Sequence, residues 1–291
     1  AYHHMLAGPL PGSLRPDTVV AVGAIGPSDR LDGLVAGSEH RIRVDRWGRN
    51  IDPRRDATAQ VVADPVALLA SIDAGADAAW GEGWRSAQAR VRAALDAEIG
   101  WGTGAAVVVA LDRAHFGCLV AASSLPVREV DAHFRSGRRV IANRGASGID
   151  GVVSVALGVA GATPGTVLLA GDLSVLHDSN GFLSERGAGL VTVVVNNGGG
   201  GLFDSLPTAV HAPSYERLFV TPPERSFADF ARFHGLDHRV AGSGVELEDT
   251  VNEGVRSGGR WLIEVEVDRA VDLAARRRLD EVARSALEIQ G

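Results

Sequence analysis

The chain has 291 residues, 45% hydrophobic and 22% charged, with a formal net charge of −7 at neutral pH. That is enough apolar material for one large soluble domain or two ordinary ones, and the acidic balance argues against a general nucleic-acid or anionic-membrane binder. A single cysteine, Cys118, excludes an internal disulfide and a cysteine-based zinc site and fits a reducing cytoplasm. No signal peptide is visible and no apolar run is long enough to span a bilayer.

In chain order, VVAVGA (19–24) reads as a buried strand, RIRVD (41–45) as an alternating one and QVVAD (60–64) as a third. PVALLASI (65–72) opens with a proline at a helix's first turn, where the missing N–H costs nothing. Three strands with little helix make residues 1–76 a partial α/β domain, part of something larger. GEGWRSAQARVRAALDAEI (81–99) is a helix with a charged outer face, a connector over 77–99. From residue 100 the pattern becomes regular. Thr103 caps a helix through AAVVVAL, and FGCLVAAS (116–123) and VIAN (140–143) are strands. GIDGVVSVALGVAGA (148–162) is a small-residue helix, and TVLLAGD (166–172) is a strand. LSVLHDSNGFL (173–183) reads as helical, LVTVVVNN (190–197) as a strand and FADFARFHGL (227–236) as a short helix with a glycine stop. WLIEVEVD (261–268) is the last strand and AVDLAARRRLDEVARSAL (270–287) an amphipathic closing helix. Alternation of this kind predicts right-handed βαβ units and a parallel sheet with helices on both faces.

In such sheets ligands bind outside the carboxyl ends of the strands, near a topological switch point. The unusual residues sit at those ends: SSLPVR, NRGASGIDG, GDLS and NNGGGG follow four strands. In GDLS, a glycine, an acid and a hydroxyl open a helix whose N-terminus suits a phosphate. Asp172 cannot bind phosphate itself but can hold a divalent cation that does, and Mg²⁺ takes oxygen ligands in octahedral array. Asn197 offers a carboxamide oxygen, and a glycine carbonyl just beyond it can turn inward because glycine lets the backbone reverse. The competing reading is structural, with Asp172 capping a helix and Asn196–Asn197 making an Asx turn.

Taken together, NRGASGIDG (143–151), GDLSVLHDSNGFL (171–183), VVVNNGGGGLFDSLP (193–207) and ERLFVTPPERSFADFARFHG (216–235) resemble the 2-succinyl-5-enolpyruvyl-6-hydroxy-3-cyclohexene-1-carboxylate synthases of menaquinone biosynthesis. These are thiamine-diphosphate enzymes. Leu173 replaces the third residue of the general GDG signature, and GDL is the form expected in this family. The resemblance is to the C-terminal part: the end of a central domain, then a diphosphate-binding domain over 100–291. It implies that the Asp172 and Asn197 side chains and the Gly199 carbonyl bind Mg²⁺, with Mn²⁺ as a substitute. Ser147, Gly148, Gly171, Leu173 and Ser174 would surround the diphosphate, and Ile149 would sit under the bent cofactor; without the resemblance, Ile149 reads as plain core.

Arginine's planar fork suits carboxylates, and Arg128 and Arg144 follow adjacent strands. The resemblance implies that Ser124, Arg128 and Arg144 contact substrate, that Leu202, Phe203 and Leu206 form an apolar wall, and that the substrates are the dicarboxylates 2-oxoglutarate and isochorismate. The cofactor would carry decarboxylation of the first and addition of the resulting carbanion to the second. His177 and Asp178, a few residues into the helix after GDL, read as structural rather than as an acid–base pair. The family's activating glutamate belongs to an N-terminal pyrimidine domain, and no glutamate in residues 1–100 matches it. No catalytic residue is therefore assigned within this chain, which is expected to be inactive alone. In GPSDR (26–30) only Arg30 offers a basic group toward substrate. The complete enzyme would be a cytoplasmic homodimer or tetramer. Two other readings stay open: another thiamine-diphosphate enzyme, of the 2-oxoacid decarboxylase or acetohydroxyacid synthase type, and a non-catalytic binding module that retains the fold.

Overall fold

A computed structural model of the chain describes residues 1–25, 28–72, 75, 78–184, 188–210, 214–223 and 225–288. The expected boundary at 76/77 and Gly26–Pro27 of GPSDR lie outside them. Among the described residues no helix is long and apolar enough to cross a membrane. The chain forms two compact units, one of residues 1–98 with 279–291 and one of residues 99–278.

The first unit contains α1 (Tyr2–Met5), β1 (Thr18–Val22), α2 (Asp29–Ala36), β2 (His40–Val44), β3 (Ala59–Val61), α3 (Pro65–Ser71) and α4 (Ala78–Glu98). Its three strands form a parallel sheet in the order β1-β2-β3. Asp64 caps α3 by accepting the N–H groups of Val66 and Ala67, with Pro65 at the first turn as its sequence predicts. Two expectations are corrected. The run around Val20 is not a buried strand: among the described residues β1 pairs on one side only, Ala21 alone of its residues is buried, and Val20 and Val22 are 37% and 48% exposed. Nor is helix scarce: Ser28 caps α2 through Leu31 N–H, a start signal hidden by its short, charged sequence. Arg30 is occupied within this unit. Its guanidinium grips Asp280 at 2.9 and 2.6 Å and donates to the His3 carbonyl at 2.8 Å.

The second unit runs α5 (Gly104–Arg113), β4 (Cys118–Ala121), α6 (Leu125–His133), β5 (Arg139–Ala142), α7 (Val152–Ala162), β6 (Thr166–Gly171), α8 (Asp172–His177), β7 (Leu190–Asn196), α9 (Phe227–His234), β8 (Asp237–Val240), α10 (Gly244–Ser257), β9 (Arg260–Glu266) and the start of α11 (Arg269–Glu288). All six strands are parallel, in the order β5-β4-β6-β7-β9-β8. Alternation along the strands feeds two cores. Leu119, Ala121, Leu169 and Val193 pack with Val107 and Leu111 of α5 and Leu247 and Val251 of α10. Val120, Leu168, Ala170 and Val194 pack with Val153 and Ala156 of α7 and Ala231 of α9. Period-2 burial on both faces is why these strands read as near-continuous apolar runs. The predicted α/β architecture, a parallel sheet with helices on both faces, is the one observed.

From β4 the chain crosses to β5 at the sheet edge, then returns to β6 on the other side of β4. The topological switch therefore lies between the carboxyl ends of β4 and β6. The predicted helix over 173–183 is interrupted. α8 stops at His177 and residues 179–183 form a 3-10 turn. Asp178 faces the preceding helix instead, its carboxylate accepting the Ser154 N–H at 2.9 Å in the first turn of α7. That satisfies one of the amides a helix start leaves unpaired, and it agrees with a structural reading of Asp178; His177 is exposed.

Candidate functional site

A cavity of about 430 Å³ opens where β4, β5, β6 and β7 end. Those are the four strand ends that carry the unusual residues, and they are consecutive in the sheet. Ser124, Arg128, Arg144, Ser147, Ile149, Gly171, Asp172, Leu173, Ser174, Asn197, Gly199, Leu202 and Phe203 all line it. Gly148 and Leu206 do not; Gly148 lies between two lining residues and Leu206 is 44% exposed.

Asp172 begins α8 at the end of β6 and is only 3% exposed. Its Oδ1 accepts the Leu173 N–H and its Oδ2 the Gly199 N–H, both at 2.7 Å. The GDL turn thus keeps its Leu173 amide for the aspartate, where the sequence suggested amides free for a ligand. Burial pushes the Asp172 carboxyl above its ordinary range, while the amides of Gly199, Leu173, Gly198 and Asn197 pull it back. No arginine, lysine or histidine ion pair to Asp172 is present among the described residues. Asn197 Oδ1 is buried without a hydrogen-bond partner. A buried carboxylate and an unsatisfied carboxamide oxygen lining one cavity form a hard-oxygen donor set that fits Mg²⁺.

The two asparagines have separate tasks. Asn196, the last residue of β7, donates through Nδ2 to Glu264 Oε1 on β9 at 2.7 Å, and His238 of β8 approaches Glu264 Oε2 at 3.2 Å. Asn196 ties the sheet together and Asn197 faces the cavity. The glycines also divide their roles. Gly198 and Gly199 have φ of +71° and +102°, which side-chain-bearing residues rarely adopt. A Cβ at Gly199 would overlap the Val220 carbonyl oxygen, and one at Gly200 the Phe219 carbonyl oxygen. The space beside these two glycines is taken by the backbone of residues 219–221.

Across the cavity, Ser124 sits at φ +85°, ψ −137° ahead of α6, a costly conformation for a residue with a side chain. Arg128 Nη1 donates to the Ser124 carbonyl at 2.6 Å. Arg144 Nε is buried with no hydrogen-bond partner, a cationic donor at the cavity's edge. Two lining carboxylates were not singled out from the sequence. Glu129 is 7% exposed and lies 3.5 Å from His133 Nε2. Asp272 is 5% exposed, accepts the Gly104 N–H at 2.8 Å, and lies 3.2 Å from Arg276. Glu129 carried only its position beside Arg128 as a signal, and Asp272 none, since Gly104 is distant in sequence.

Residues 123–265 match the family model for the thiamine pyrophosphate enzyme C-terminal TPP binding domain. Over those residues the parallel α/β fold agrees with that of a thiamine pyrophosphate-binding domain. A 2-succinyl-5-enolpyruvyl-6-hydroxy-3-cyclohexene-1-carboxylate synthase from Rubrobacter xylanophilus is 38% identical over 296 residues, covering 96% of this chain and 51% of that protein. The protein of the same name from Geobacillus kaustophilus is 38% identical over 290 residues, covering 93% of this chain and 50% of its own length. A third, from Trichodesmium erythraeum, is 32% identical over 296 residues, with 94% and 49% covered. The chain spans about half the length of the curated relatives it matches, and the matched family model describes a C-terminal domain. The chain resembles the C-terminal part of these synthases. The matches extend into the first hundred residues as well, further than the motifs alone reach.

Proposed function

We propose that this chain is the diphosphate- and metal-binding part of a 2-succinyl-5-enolpyruvyl-6-hydroxy-3-cyclohexene-1-carboxylate synthase acting on 2-oxoglutarate and isochorismate. The observation that carries this reading is the buried Asp172 carboxylate and the unpartnered Asn197 Oδ1 at the ends of β6 and β7. Asp172, Asn197 and the Gly199 carbonyl hold Mg²⁺, or Mn²⁺ in its place. Ser147, Gly148, Gly171, Leu173 and Ser174 surround the diphosphate, and Ile149 supports the cofactor from below. When bound, thiamine diphosphate supplies the decarboxylation and carbon–carbon bond-forming chemistry. The protein's share is to bind, orient and neutralise. Arg144 and Arg128 take substrate carboxylates with Ser124 beside them, and Leu202, Phe203 and Leu206 form the apolar wall. The activating glutamate comes from a pyrimidine domain outside this chain, so the chain alone does not turn over. The complete enzyme is a cytoplasmic homodimer or tetramer, with residues 1–76 part of its central domain, 77–99 a connector and 100–291 the diphosphate domain.

Calorimetric titration of thiamine diphosphate into the chain, with and without Mg²⁺, tests the reading. The expected result is binding that requires the metal and disappears in Asp172→Ala. Binding indifferent to Mg²⁺ and to that substitution would remove the metal assignment. No binding even with the N-terminal part of the enzyme supplied would remove the cofactor assignment.

A further inference from the structure

Three side chains outside the cavity lining, Asp204, Tyr215 and Arg269, converge beside the glycine turn. After that turn the chain leaves the sheet as one leg, residues 200–210, and comes back as another, residues 214–221. The outgoing leg places Leu202 and Phe203 in the cavity wall. The return leg lies on the turn itself: the Val220 carbonyl accepts the Gly200 N–H at 2.7 Å, and the carbonyl oxygens of Phe219 and Val220 occupy the space any Cβ at Gly200 and Gly199 would need.

The two legs are joined by chemistry that the cavity does not use. Phe219 packs edge-on against Phe203 and stacks on Tyr215, with ring centroids 5.6 and 5.7 Å apart. Tyr215, only 4% exposed, donates its phenol to Asp204 Oδ1 at 2.6 Å. Arg269, the first residue of α11, ties both legs to the end of β9. Its Nη1 is 3.6 Å from Asp204 Oδ1 and its Nη2 is 3.1 Å from Glu216 Oε1. Its Cγ packs at Gly201, 3.3 Å from where a Cβ would stand. The phenol–carboxylate bond is the sheltered, charge-assisted one of these and ranks among the stronger hydrogen bonds; Arg269 adds an ion pair to Asp204 beyond hydrogen-bond distance and an exposed one to Glu216.

We infer that Asp204, Tyr215 and Arg269 are positioning residues for the cofactor site, holding the return leg against the Gly199–Gly200 turn and so fixing the Gly199 carbonyl and the Leu202–Phe203 wall. The inference rests on the reading of Gly199 as a metal ligand. It predicts that removing one phenolic oxygen, outside the cavity lining, weakens metal-dependent cofactor binding.

Tyr215→Phe keeps the ring stack and deletes the donor; Asp204→Asn keeps an acceptor for the phenol, whereas Asp204→Ala does not. Hydrogen exchange on the unliganded chain reads the brace, and calorimetry at graded Mg²⁺ reads its effect on binding. Tyr215→Phe and Asp204→Ala should speed exchange at the Gly200 and Gly201 amides, with the β6 and β7 amides unchanged. They should also weaken Mg²⁺-dependent thiamine diphosphate binding roughly tenfold, the scale of one hydrogen bond to a charged group. Asp204→Asn should recover most of both. Unchanged exchange at Gly200 overturns the brace. Faster exchange, or a lower melting temperature, with Mg²⁺-dependent affinity within twofold of the parent overturns the positioning role. A parent chain that binds no cofactor even with the N-terminal part of the enzyme supplied fails the proposed function instead, and the positioning role falls with it.

Discussion

Replacing the glycines around the site one at a time by alanine separates local backbone need from tertiary crowding, and the structure orders the costs. Gly171 has an ordinary φ of −79° and open space where a Cβ would go, so Gly171→Ala should stabilise by about 0.5 kcal/mol through the unfolded chain. Gly198, at φ +71° with open space, incurs the left-handed penalty of about 1–2 kcal/mol less that same gain, a net cost of about 1 kcal/mol. Gly200 has a negative φ of −26°, but its Cβ would overlap the Phe219 carbonyl. A backbone oxygen cannot rotate aside like a side chain, so the cost is about 3 kcal/mol, the upper end for overpacking. Gly199 combines φ +102° with overlap on the Val220 carbonyl, and its cost is about 4 kcal/mol or more. The assay is pulse labelling of the thiol across a urea series. Cys118 is the sole cysteine and is fully buried in β4, and burial also pushes its thiol pKa up, so it reacts only when the second unit opens. A flat series, or Gly200→Ala no costlier than Gly198→Ala, would refute the claim that the return leg crowds the turn.

Asp178→Ala should cost the second unit about 1–2 kcal/mol in the same assay by uncapping α7 at Ser154, with Asp178→Asn recovering part of it; no loss in either would show the cap to be idle. His3 gives the first unit a pH dependence. Burial, then the positive charge of Arg30, lower its pKa from 6.5 to about 4. The unfolded chain therefore binds the extra proton first, and stability present above pH 6.5 is lost as pH falls toward 4, by up to roughly 3 kcal/mol. His3→Gln should flatten that part of the stability–pH curve, and an unchanged curve would place the titration elsewhere.

Much of this architecture is local and was legible residue by residue. Valine-rich runs such as 191–195 can be satisfied only by a strand covered on both faces, and their alternation with helical segments forces parallel crossovers. Thr103 as a helix cap and Gly235 as a helix stop need no knowledge of distant residues, and both are found as read. The segments that were missed lacked such local signals. β8 is charged and largely exposed, and is a strand only because it pairs with β9. α6 begins inside a stretch that looked like a strand end, and α10 has a weakly apolar, acid-rich sequence whose start rests on a single Ser243 cap.

The site divides along the same line. The sequence by itself determined that four strand ends would carry acid, carboxamide, arginine and glycine, because the motifs are contiguous and the parallel topology gathers carboxyl ends on one side. Only the tertiary structure decided what each residue does there. Asn196 and Asn197 are adjacent and chemically identical, yet one is committed to Glu264 and the other to the cavity. Gly199 and Gly200 are glycine because a peptide some twenty residues later lies against them. Such choices depend on partners remote in sequence, and close packing assigns them once the chain has brought those partners together.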